Sequence, residues 1–189
     1  MLRRLGLAAL VATLVLAPAA SAGKKKTVKL APKGATTLAL SADAASALQS
    51  LGIAAAPLKP ARAGDDGLRF PIIAGKLNAK TYAGQIKHVG GISLSRESTR
   101  VDLRNFVINV DEAPDLTARI GDARVSILDL DLSDAEISKS GRRLTIAGVK
   151  ATLTKTAADA LNAAFGTQAF AEGLEIGTAT VSGRAAKRR

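Results

Sequence analysis

From Leu68 to about Leu153 the chain alternates apolar and other residues with a period of two, and this pattern constrains its fold more than any other. Side chains of a strand point to opposite faces in turn, so such a run has one face to bury. Ile86, His88, Gly90, Ile92 and Leu94 share one parity. Val101 and Leu103 keep one phase, whereas Phe106, Ile108 and Val110 take the other, which predicts a bulge or tight turn at Arg104-Asn105. Leu116, Ala118 and Ile120 form a further run, and a second switch falls between Ile127 and Leu128, before Leu130 and Leu132. Gly141 marks a turn, followed by Leu144 to Ile146 and Val149 to Leu153. Short strands with frequent turn signals predict a mainly β, antiparallel two-sheet domain.

Two short α-helices interrupt the strands. Thr36 to Leu40 reads as a strand, after which Ser41 is placed to cap a helix bearing Ala44, Ala47, Leu48 and Leu51 on one face and ending at Gly52. Pro57, Pro60, Gly64 and Gly67 predict an exposed loop with Asp65-Asp66 at its tip. Ala157, Leu161, Ala164 and Phe165 give the stripe of a second helix, closed by Gly166. Thr178 to Val181 reads as a last strand.

The ends have a different character. Arg3 and Arg4, the apolar run Leu5 to Leu16, Pro18 and Ala20-Ser21-Ala22 make residues 1–22 a predicted secretory signal peptide. The apolar run is shorter than the roughly 20 residues that a membrane span requires, so the expected product is exported and not transmembrane. Of 27 basic residues, eleven lie before residue 34 or after residue 183; the 16 between them match the 16 acidic residues found there. The formal charge of +11 therefore resides in the ends, leaving a neutral body with no basic stripe apparent in the sequence. Residues 23–33 and 184–189 are expected to be flexible basic tails around one domain at 34–183. Such tails suit an anionic envelope polymer or lipid headgroups. Nucleic acid is not expected, because the body carries few aromatics for stacking.

Side-chain chemistry is scarce. The chain has one histidine, His88, one tyrosine, Tyr82, and no cysteine or tryptophan. A His/Cys zinc cage cannot be assembled, and no G-x-S-x-G elbow or phosphate-binding glycine loop occurs. Asp129 and Asp131 share a strand face, about 6.6 Å apart by strand rise, but they read as a solvated face opposite Leu128, Leu130 and Leu132. A calcium loop starting at Asp129 lacks the glycine and glutamate it needs, having Asp134 and Ser140 there. No catalytic or metal-binding set is expected, and the chain reads as non-enzymatic. Gly90-Gly91 after His88 provides either ligand space or a close backbone approach.

Phe70-Pro71 with Gly75, the segment from Gly84 through Ile86 and His88 to Gly90-Gly91-Ile92, Leu116-Thr117-Ala118, and Gly148 to Thr154 with Ala157-Ala158, Phe170 and Gly173 occur in order over residues 36 to 182. Together they resemble the HtaA domain, a family of secreted or surface-attached haem-binding modules of actinobacteria. The resemblance implies a β-rich domain holding ferric haem at the envelope, with a tyrosine near the N-terminal helix on the iron and a histidine hydrogen-bonded to that tyrosine. His88 matches the histidine. The tyrosine has no counterpart, since residues 23 to 69 contain no Tyr, Trp or Phe. The candidate haem-binding residues are His88, Tyr82 and Lys87, the lysine near the propionates. The alternative is a haem-independent adhesion or structural module held by its basic tails; a wall hydrolase would need a catalytic pair that is not evident.

Overall fold

A computed structural model describes residues 26–187. The expected signal peptide lies outside them. The strands are β1 (Thr27–Leu40), β2 (Ala54–Leu58), β3 (Arg62–Gly64), β4 (Gly67–Asn78), β5 (Gly84–His88), β6 (Gly91–Arg96), β7 (Thr99–Val110), β8 (Asp115–Ile120), β9 (Ala123–Asp131), β10 (Glu136–Ser140), β11 (Arg143–Leu153) and β12 (Glu175–Ala185). Two helices, α1 (Ala42–Ser50) and α2 (Lys155–Phe165), follow β1 and β11.

The strands form one closed sheet, not the two expected sheets. Eight antiparallel strands run β7-β5-β4-β1-β12-β11-β9-β8, and β8 pairs back onto β7 to complete a barrel. β6 and β2 extend the sheet from β7, β3 adds to β4, and β10 adds to β11. The two phase switches are the devices that allow closure. The β7–β8 register shifts between Arg104 and Val107, where Asn105 has a φ of 51°. The β8–β9 register shifts after Leu116, because Leu116 faces Leu128 while Thr117 faces Ser126. Bulges bend a strand and increase its twist, and a closed sheet leaves no edge between its members. The bulge also lets β7 change partners, pairing with β6 over Thr99–Arg104 and with β5 over Val107–Val110.

Two segments are more ordered than their composition suggests. The expected basic tail is strand from Thr27 onward: β1 pairs Thr27 to Leu30 with Asn78 to Gly75, and Leu30 is buried. Arg184 and Ala185 likewise belong to β12. Ladder hydrogen bonds and alternate inward residues hold the backbone there, while the lysines project outward. The expected loop marked by Pro57, Pro60, Gly64 and Gly67 holds the end of β2 and all of β3, with Asp65-Asp66 forming the tight turn between Gly64 and Gly67. β2 is recruited by the edge of β6, a tertiary partner its own composition cannot reveal.

Both helices leave the same end of the barrel, where Leu40 pairs with Gly177 and Thr152 with Glu175. Ser41 Oγ accepts from Ala44 N at 3.0 Å and donates to Glu175 O at 2.9 Å, so it caps α1 and ties it to β12. Thr154 does the same for α2: its Oγ1 accepts from Ala157 N at 3.1 Å and donates to Ser126 O at 2.9 Å. Gly166, left-handed at φ 58°, ends α2 as expected. Arg96, at the β6–β7 turn, donates to the Phe165 carbonyl and places its guanidinium 5.9 Å from the Phe165 ring centroid.

Candidate functional site

The barrel interior holds a cavity of about 370 Å³. Its wall is aliphatic and aromatic: Ile86, Leu94, Leu103, Phe106, Ile127 and Ile146 are among the strand residues that line it. Among the described residues, Thr36 and Thr156 supply its only polar side chains. The two helices add Ala44, Ala47 and Leu48 from α1 and Ala157, Ala160, Leu161 and Ala164 from α2. Alanine is the reason the space exists. Eight strands leave an interior that large side chains can fill or that can hold one small ligand, and short side chains on both helices favour the second outcome. Lining residues Thr156, Ala160 and Ala164 are exposed and Ala47 and Leu48 half-buried, so the cavity meets solvent at the helical end.

His88 is not part of that lining. It is 3 % exposed and sits in the wall, where Nε2 lies 2.7 Å from Thr36 Oγ1 and Nδ1 3.2 Å from the Phe106 carbonyl. A carbonyl only accepts, so Nδ1 carries the proton and Nε2 accepts from the Thr36 hydroxyl. Burial lowers the His88 pKa to about 4, against a smaller upward pull from the Phe106 hydrogen bond. The ring is therefore neutral and links β1, β5 and β7. Phe70, opposite Thr36 on β4, packs edge-on against Phe106 with centroids 4.9 Å apart.

The other two candidates lie elsewhere. Lys87 is exposed on the outer face of β5, as its parity opposite to His88 requires. Tyr82 lies in the β4–β5 connection at a φ of 58°, half-buried against the core, with its N–H bonded to Asn78 O. β5 runs between it and His88, so the three candidates do not converge. Gly90-Gly91 provides close packing rather than ligand space. A Cβ on Gly91 would enter the Leu103 carbonyl, and one on Gly90 would crowd Leu58 O and Ala61 N. What sequence reading missed was the cavity itself; alanines on the inner faces of both helices were its only trace.

Haem iron is held by tyrosinate, imidazole, thiolate or thioether side chains. Among the described residues none of these lines the cavity, and no lysine or arginine joins its wall to face a propionate. The one imidazole has both nitrogens engaged inside the wall. The residues present do not fit a haem coordinated through its iron.

The sequence matches no protein-family model and no curated protein. The fold is similar to crystal structures of the C-terminal domain of HtaA from Corynebacterium glutamicum. One covers 84% of this chain and 99% of its own, at 14% identity and a TM-score of 0.66. A domain-swapped dimer variant of the same domain covers 77% and 92%, at 13% identity and a TM-score of 0.57. Haem-binding protein HtaB from the same organism covers 85% and 96%, at 11% identity and a TM-score of 0.48.

Proposed function

We propose that this divergent HtaA-like barrel is an exported, non-enzymatic binding domain that takes an apolar ligand into the cavity between its helices. The cavity carries the reading: about 370 Å³ of space walled by apolar side chains and open at one end. Its size lies within the range of small-molecule sites, and an apolar wall selects ligands by shape and desolvation. Among the described residues, two threonine hydroxyls are the only lining side chains able to orient a polar group. This arrangement suits an aliphatic chain or a ring system without ligated metal.

Titration of the purified protein with the neutral fluorophore N-phenyl-1-naphthylamine tests this. Saturable binding at one probe per chain, displaced by a long-chain fatty acid and lost on Ala160→Trp, is expected. Absence of saturable binding would remove the proposal. Haem binding, the role implied by the family resemblance, is the second reading, favoured by the shared fold and by His88 at the motif position. Hemin added to the same protein is expected to give no ligated Soret band. A band that appears, and disappears in His88→Ala, would replace the apolar-ligand reading with the family role.

A further inference from the structure

The neutral body conceals a concentrated positive face. Arg104 on β7 is directly opposite Arg119 on β8, and Arg119 is directly opposite Arg124 on β9. All three are exposed on the outer wall. Neighbouring strands are about 4.8 Å apart, so three guanidinium groups are carried on a backbone span of about 10 Å. Like charges directly opposite one another destabilise a sheet. Of the three, Arg104 alone has a carboxylate partner among the described residues: Asp102 binds it at 2.8 Å and binds Arg100 at 2.9 Å. These contacts, led by Arg100, hold the Asp102 pKa at about 2. Asp122, at the β8–β9 turn, is exposed and makes no ion pair among the described residues, and neither do Arg119 and Arg124. Arg124 is nonetheless ordered. Its Nη1 donates to Asn105 O at 3.1 Å and Thr117 Oγ1 at 3.2 Å, laying the side chain across β8 towards the β7 bulge. Its remaining N–H groups are left for an outside acceptor.

We infer that this arginine ladder docks the protein on phosphate-bearing headgroups of an anionic lipid surface. Planar guanidinium groups match phosphate oxygens with paired hydrogen bonds, and a row of them suits repeated anions better than one. Lipid is favoured over a soluble anion by the position of the ladder. The hairpin that turns Arg119 and Arg124 outward also turns the half-buried Ile120 and Val125 inward to the cavity. Docking there would bring aliphatic chains close to an apolar cavity; this choice of source rests on the apolar-ligand reading.

Sedimentation of the protein with vesicles of phosphatidylglycerol and phosphatidylcholine tests the inference against vesicles of phosphatidylcholine alone. Binding to the anionic vesicles is expected to fall about 30-fold in Arg119→Gln/Arg124→Gln, on the order of fivefold per arginine near the surface. The control Lys29→Gln/Lys76→Gln removes the same charge from another exposed like-charge pair and is expected to bind nearly as the parent does. Equal loss in the control would overturn the inference, by showing that net charge governs binding. Release by inorganic phosphate at matched phosphate concentration, or retention on duplex DNA without vesicle binding, would overturn it too. Ala160→Trp separates the two readings: it is expected to keep vesicle binding while losing the apolar probe. If the parent takes up no probe but the ladder still governs vesicle binding, docking survives and the cavity reading fails.

Discussion

Thr36 Oγ1 lies 2.7 Å from His88 Nε2, across β1 and β5, and this buried contact assigns the chain's only histidine to the barrel wall. The Phe106 carbonyl on Nδ1 fixes the tautomer, burial keeps the ring neutral, and Nε2 accepts from Thr36, which itself still lines the cavity.

Acid should weaken the fold through this residue. The folded pKa of His88, about 4, is below its ordinary value of 6.5, so the unfolded chain takes up the proton first as pH falls. The contribution is complete above about pH 6.5 and is lost as pH falls from there to about 4, amounting to about 3 kcal/mol. Urea denaturation at pH 7.5, 5.5 and 4 should show this loss. Subtracting the same series for His88→Gln isolates it from the carboxylates; superimposable pH profiles would contradict the assignment.

Thr36→Val should leave His88 Nε2 without its donor inside an apolar wall. A buried polar group that loses its partner costs about 1–3 kcal/mol, readable as a lower urea midpoint at neutral pH with unchanged slope. Thr36→Tyr is more informative, because it puts a phenol at a position that both lines the cavity and touches His88. Gain of a ligated hemin spectrum in this variant, absent from the parent, is the expected result. Failure of a correctly folded variant to acquire it would show that the missing phenol is not what separates this barrel from haem coordination.

Arg96 secures the end of α2 from the facing turn, through the Phe165 carbonyl and ring. Arg96→Ala should cost about 1 kcal/mol and raise hydrogen exchange in the last turn of α2. Because α2 forms part of the cavity mouth, entry of the apolar probe should also become faster in stopped flow. An unchanged entry rate would mean that this end of the helix does not govern access.

Ala47→Phe should fill part of the cavity from α1. Loss of probe binding without loss of thermal stability is expected, since the added ring occupies existing space. Ile72→Ala is the opposite case: Ile72 is 2 % exposed and among the largest fully buried side chains, and its truncation should cost about 2–5 kcal/mol. If Ala47→Phe proved equally destabilising, the space near α1 would be smaller than the wall implies.

Local pattern alone determined most of the barrel strands, both helices, their glycine ends and the two bulges, but not the first half of β1, nor β2, β3 and β10. Side-chain periodicity is a property of neighbouring residues, and a phase switch at Arg104-Asn105 or Ile127-Leu128 has few structural meanings. His88 was singled out as the only imidazole and as the match to a family motif, yet its surroundings were not legible. Thr36 and Phe106 reach it from strands 52 residues earlier and 18 residues later. The same separation concealed the arginine ladder, whose members are dispersed among acidic neighbours and align only through strand register. Closure into one barrel depended on β7 meeting β8 along a second edge, and the cavity depended on two alanine-bearing helices covering the same end. Pairing between distant segments is a cooperative outcome of burying one shared interior, so only the tertiary structure decided it.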